Sequence, residues 1–162
     1  IGKRVLVLSN SGGPGVLAAD QAVEEGLTLP VLPSDMAAEL VKGLPPEASV
    51  ANPMDLLADA REERFALALS AALRHAPGTF DAILMIHVVP FMVDADRVVD
   101  RLVRECAAAQ LPILHSMMGT LEQRAQWFAA LEQAGVPVFR DAEEMCMAAG
   151  GLMRHRQLNV DG

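Results

Sequence analysis

Tyrosine is absent from the 162 residues, tryptophan occurs once, at Trp127, and all aromatics together make up 4%. A platform on which nucleic-acid bases or a flavin ring could stack is therefore not to be expected. Cysteine occurs only at Cys106 and Cys146, without a CxxC pair or a histidine at ligand spacing, which reads as two reduced core thiols. The four histidines, at 75, 87, 115 and 155, form no H-x-x-x-H, and no metal site is expected. Positive charge is scarce: 13 Lys and Arg stand against 21 Asp and Glu, and the net charge of −8 disfavours nucleic acid and anionic membranes as partners. No apolar run approaches the roughly 18 residues that a membrane span requires. The opening IGKRVLVLSN lacks the apolar core and cleavage site of a signal peptide. The expectation is a cytoplasmic protein.

Apolar residues are plentiful, at 52%, and the length suits one domain with a real core. Runs rich in Val, Leu and Ile at Arg4–Ser9, Leu29–Leu32, Ala82–Val88, Pro112–Ser116 and Val136–Phe139 read as strands. Helical composition fills Gly15–Glu25, closed by Gly26, and Ser34–Lys42, capped by Ser34. It recurs over Glu62–His75, from an Asp94 cap to Ala109, over Leu121–Ala134 before Gly135, and from an Asp141 cap to Met153. Strands alternating with helices imply right-handed crossovers, and so an α/β fold of three layers around a five-stranded parallel sheet. The expected arrangement is flavodoxin-like, with order 2-1-3-4-5. Residues 1–156 form the domain, and 157–162, with the linker-like ending QLNVDG, suggest a segment belonging to something longer.

Ligands of such sheets sit beyond the carboxyl ends of the strands. Four loops reach that edge: Ser9–Gly15, Asn52–Asp55, His87–Phe91 and Ser116–Thr120. The first, within LVLSNSGGPGVLAADQ, concentrates flexible residues between a strand and a helix. Gly12, Gly13 and Gly15 permit positive φ and leave backbone N–H groups uncovered, and Pro14 presets a first helical turn. N–H groups at a helix start, with the dipole behind them, favour a phosphate or carboxylate. Asn10, Ser11 and Val16 complete this phosphate-binding candidate; Asn52, Asp55 and Gly119 form its possible edge. A plain glycine turn without a ligand is the alternative. Gly13–Ala18 also fits G-x-G-x-x-A, but the nearest acidic residue for a ribose, Asp35, lies beyond Pro33 in the next helix. Ser11 has no nucleophile-elbow context, and Ser9-Asn10 stands where a phosphoacceptor receiver carries an acidic pair. His87 and His115 read as satisfied core histidines, His75 and His155 as residues of helix C-termini.

SNSGGPGVLAAD together with LPPEASVANPMDLLADA closely resembles NDP-forming acyl-CoA synthetases, the ADP-forming acetate–CoA ligase relatives of succinyl-CoA synthetase. ILHSMMGT and AGVPVFRDAEEMCMAAGGLMRHR are similar to the later part of the same flavodoxin-like ligase-CoA domain. The resemblance implies a part in converting an acid, CoA and ATP to acyl-CoA, ADP and phosphate through a phosphohistidine carried by another domain. It implies as partners the CoA-binding, phosphohistidine and ATP-grasp domains of the same enzyme, and possible oligomers. ATP/ADP, Mg and CoA are cofactors of the parent enzyme, with none bound by this domain alone. The family's glycine motif falls on Asn10–Gly15, whose helix N-terminus would stabilise the phosphoryl group. No catalytic residue is expected in this domain, because the Ser-His-Thr-Gly type segment is absent. Met117-Met118-Gly119-Thr120 stands where Trp-Met-Gly-Gly is more usual. A regulatory or structural domain of an acyltransferase-fused homologue, and a free small-anion or nucleotide-binding module, are the competing functions.

Overall fold

A computed structural model describes residues 1–119 and 123–160. Five strands, β1 (Val5–Ser9), β2 (Met54–Asp55), β3 (Ala82–Val88), β4 (Ile113–Met118) and β5 (Val138–Phe139), form one parallel sheet of order β2-β1-β3-β4-β5. The helices are α1 (Gly12–Glu24), α2 (Ser34–Gly43), α3 (Glu62–His75), α4 (Ala95–Ala107), α5 (Arg124–Gln133) and α6 (Ala142–Val160).

Alternation along the strands builds both faces, because successive side chains point to opposite sides. Leu6, Leu8, Ile83, Met85, Ile113 and Met117 meet Met36, Phe65, Leu69, Val98, Leu102 and Trp127 from α2 to α5. The residues between them, Val5, Val7, Leu84, Ile86 and Leu114, meet Ala18, Ala22, Met145, Cys146 and Ala149 from α1 and α6. The buried face of α1 is built from small residues, Gly15, Ala18 and Ala22, while α6 adds Met145 and Met153.

The order of strands agrees with the sequence reading, but the second strand does not come from Leu29–Leu32. That segment lies in no strand, and the nearest pairing is a single bridge of Arg4 with Thr28, just before it. Pro30 has no N–H to give a ladder, and Pro33 turns the chain into α2. Strand β2 comes instead from Met54–Asp55, in register with Leu8 and Ser9. Below it a side chain does the pairing. The Asn52 carboxamide accepts from the Val7 N–H at 3.0 Å and donates to the Val5 and Pro30 carbonyls at 2.9 and 3.0 Å. It supplies the rungs that a longer strand would supply, and Asn52–Pro53 is a cis peptide.

Other boundaries move less. Pro33, not Ser34, is the N-cap of α2. Strand β4 begins at Ile113 and runs to Met118, two residues past the expected Ser116. Asp94 and Asp141 cap as expected, accepting from the Asp96 N–H at 3.1 Å and the Glu144 N–H at 2.8 Å. Helix α6 continues beyond Met153, so 157–160 are helical. The expected start of the fifth helix at Leu121 and the end of the Ser116–Thr120 loop lie outside the described residues, as do 161–162.

Candidate functional site

The parallel register brings the strand ends to one edge: Ser9 pairs with Asp55 and with Ile86, and Val88 with Met118. The turn after β1 is short and tightly bonded. Ser9 Oγ donates to the Ser11 carbonyl at 2.8 Å and accepts from the Ser11 N–H at 3.0 Å. This holds Ser11 extended, at φ −149° and ψ 121°, as the N-cap of α1. The helix therefore begins at Gly12 and not at Gly15.

That start changes the reason for the glycines. None of Gly12, Gly13 and Gly15 has positive φ; among the described residues the glycines that do are Gly26, Gly78, Gly119 and Gly135. Close approach explains two of the three. A Cβ at Gly15 would lie 3.3 Å from Ser9 Cβ and 3.9 Å from Pro53 Cβ, and one at Gly12 would lie 3.0 Å from Asp55 Oδ2. At Gly13 a Cβ would meet nothing within 4 Å, so packing does not require that glycine.

Gly12 and Gly13 are exposed, and their N–H groups, in the first turn, have no acceptor among the described residues. Pro14 has no N–H, and the Gly15 N–H returns to the Ser11 carbonyl at 3.1 Å. Two N–H groups and a dipole end thus face outward. Val16 and Leu17, 54% and 70% exposed, follow on the same helix. Beside them, a cleft of about 280 Å³ is lined by Pro14, Leu17, Gln21, Met118, Asp141 and Glu143, among others. Its side chains include carboxylates but no Lys or Arg.

The remaining site residues have other partners. Asn10 is 1% exposed; its Nδ2 donates to the Val88 carbonyl and its Oδ1 accepts from the Val88 N–H, both at 2.8 Å. Its carboxamide braces β1 to β3. Asn52 is turned to the backbone of β1. Asp55 accepts from the Leu57 N–H through Oδ1 at 2.9 Å and leaves Oδ2 beside Gly12. Gly119, at φ +151°, lies against Val89, and its carbonyl accepts from Arg124 Nη1 at 3.1 Å. The bracing roles of Asn10 and Asn52 escaped the sequence reading; the available signal was an asparagine at the end of, or facing, a buried strand.

Elsewhere the chemistry is muted. Burial pushes the thiols of Cys106 and Cys146 up to about 12, which removes them as nucleophiles. Among the described residues, no group of three or more His, Cys, Asp and Glu could hold a metal ion. His87 and His115 are fully buried, as expected, but they are not the satisfied histidines expected there: none of their ring nitrogens has a partner among the described residues.

The family profile described as "Ligase-CoA domain" matches residues 5–157. The alpha subunit of acetate–CoA ligase [ADP-forming] II from Pyrococcus furiosus is 32% identical over 99% of the chain and 35% of that subunit. The corresponding subunit of ligase I from the same organism is 27% identical over 94% of the chain and 33% of its own length. A crystal structure from Pyrococcus horikoshii OT3 superposes with a TM-score of 0.86 at 30% identity, covering 94% of this chain and 35% of that one. A dinucleotide-forming acetyl-coenzyme A synthetase 1 from Ca. Korarchaeum cryptofilum, in complex with phosphate and ADP, gives 0.85 at 25% identity, covering 96% and 33%. The chain spans about a third of the length of the curated relatives it matches.

Proposed function

The chain belongs to the ligase-CoA domain family, and from that premise we propose that it works within an NDP-forming acyl-CoA synthetase. The reaction joins an acid to CoA at the expense of ATP, releasing ADP and phosphate, with the phosphoryl group carried on a histidine of another domain. In this reading the present chain supplies electrostatic stabilisation: the Gly12 and Gly13 N–H groups face a transferring phosphoryl group with the α1 dipole behind them. Such a terminus contributes roughly 0.3–2 kcal/mol toward a negative charge and requires no reorganisation during reaction. The observation that carries this is the pair of exposed N–H groups at the start of α1 without an acceptor among the described residues.

The side chains around the turn set the division of labour. Neither the cleft nor the contacts of Gly12 and Gly15 include a Lys or Arg, so neutralising charge for the phosphoryl group would come from a partner domain or its cation. Nucleotide, magnesium and CoA are likewise assigned to the other domains, since the feature this chain offers is a pair of outward backbone N–H groups.

A ligand-free turn is the competing reading, and Asp55 favours it: its Oδ2 stands next to Gly12 and already places a negative group near the helix start. Titration with inorganic phosphate, followed at backbone amides by NMR, separates the two. Saturable shifts at Gly12 and Gly13, strengthened by Asp55→Asn, are the expected outcome. Unmoved Gly12 and Gly13 amides in both proteins would leave the turn a purely structural element.

A further inference from the structure

The most unusual polar feature of the molecule lies under the helices and away from the glycine turn. His87 on β3 and His115 on β4 share the face covered by α2 to α5, since His115 is in register with Met85 and His87 with Met117. Both are 0% exposed. Their ring centroids are 6.2 Å apart at 73°, and the Phe65 ring of α3 meets His87 edge-on at 5.1 Å. None of the four ring nitrogens has a hydrogen-bond partner among the described residues. Buried polar groups are nearly always paired, so two adjacent imidazoles without partners need a physical account.

Neutral imidazoles are tolerable there: they are mostly carbon, and they pack against an aromatic ring. Imidazolium is not, because each gains a charge and a second N–H donor with no acceptor at hand. The charged groups of the covering helices are engaged elsewhere. On α3, Glu62 pairs with Arg97, Arg64 with Asp59, and Arg74 and His75 with Glu39. On α4, Asp96 accepts from Trp127 of α5, and Glu105 holds Arg101 and Ser70. Asp94, Asp100, Arg104 and Glu63 are exposed, and Arg124 lies over Phe128. On α2, Asp35 faces His75. Burial alone lowers His87 to about 4, and burial with the neighbouring His87 lowers His115 to about 3.

We propose that the His87–His115 pair is an acid-sensitive latch: neutral, it lets α3 close over β3 and β4; protonated, it releases that layer. The release reaches the site because the residue after His87 is Val88, whose N–H and carbonyl are both held by Asn10, two residues before Gly12. Acid would thus loosen the brace under the glycine turn. The sign follows from linkage. The unfolded histidines take up protons near pH 6.5 and the packed ones only at lower pH, so the closed form is fully favoured above pH 6.5. It is lost as pH falls from there toward 4.

Amide hydrogen-exchange protection factors of the chain at pH 7 and pH 5 test this. Protection in α3 and at Val88 should fall about 20-fold for each histidine over that interval, and should fall less in α1 and α6. His87→Leu/His115→Leu should abolish the excess fall. If that variant does not fold, His115→Gln alone should remove one of the two factors. Ring-proton NMR of the wild type provides a direct second reading, with both histidines inflecting below pH 5. An inflection near 6.5, a fall spread evenly over all helices, or an unchanged fall in either variant would overturn the latch.

Discussion

Asn52 makes three hydrogen bonds with one carboxamide, to Val7, Val5 and Pro30, and each of these partners is backbone. Removing it would leave a buried N–H and two carbonyls without their partner, and each unmet group costs about 1–3 kcal/mol. Asn52→Ala should therefore destabilise the chain by roughly 2–4 kcal/mol, allowing for partial hydration of the exposed side. Urea unfolding at pH 7 measures it, and a loss under about 0.5 kcal/mol, the scale of an ordinary surface change, would show that the rungs matter little. Asn10 performs the equivalent service between β1 and β3, where its carboxamide grips both backbone groups of Val88. These two asparagines read from sequence as polar loop residues with ligand-facing side chains. Their actual use depends on which backbone is left unpaired nearby, and that is a property of the assembled sheet.

Elements whose signals are local were the legible ones. Gly26 and Gly135 stop helices with φ of +88° and +82°, and the aspartates at 94 and 141 cap as their positions suggest. The run Ala82–Val88, apolar but for His87, is a strand over its whole expected length. Leu29–Leu32 failed because its apolar composition resembles a strand while Pro30 and Pro33 deny it the hydrogen bonds. Its replacement, Met54–Asp55, is too short for any periodicity to show. The start of α1 is hidden in the sequence because glycine is a weak helix former, so a first turn of Gly-Gly-Pro-Gly reads as loop. Tertiary packing against Ser9 and Pro53 is what makes small residues suitable there. At this scale, Asp141→Ala should lower stability by about 1 kcal/mol, since it removes both the bond to the Glu144 N–H and a negative charge at the α6 N-terminus. Thermal unfolding compared with Asp141→Asn isolates the charge, because asparagine keeps the acceptor.

Taken whole, the chain has the fold of a ligase-CoA domain. Its two central histidines are sealed beneath α3, and a phosphoryl donor cannot reach a ring nitrogen that solvent does not reach. Incubation with radiolabelled ATP, magnesium, CoA and acetate should leave no acid-labile label on the chain and yield no thioester; label on His87 or His115 would contradict both the burial and the assigned role. The sheet also limits how neighbours can attach. Its two outer strands, β2 and β5, are two residues long each, and the flank of β1 below β2 is closed by the Asn52 side chain. An edge that short is a poor template for a foreign strand, which disfavours β-augmentation and edge-to-edge stacking of the sheet. The surfaces left for a neighbour are then loops and helix faces, where a joint can slide or part without unzipping the sheet.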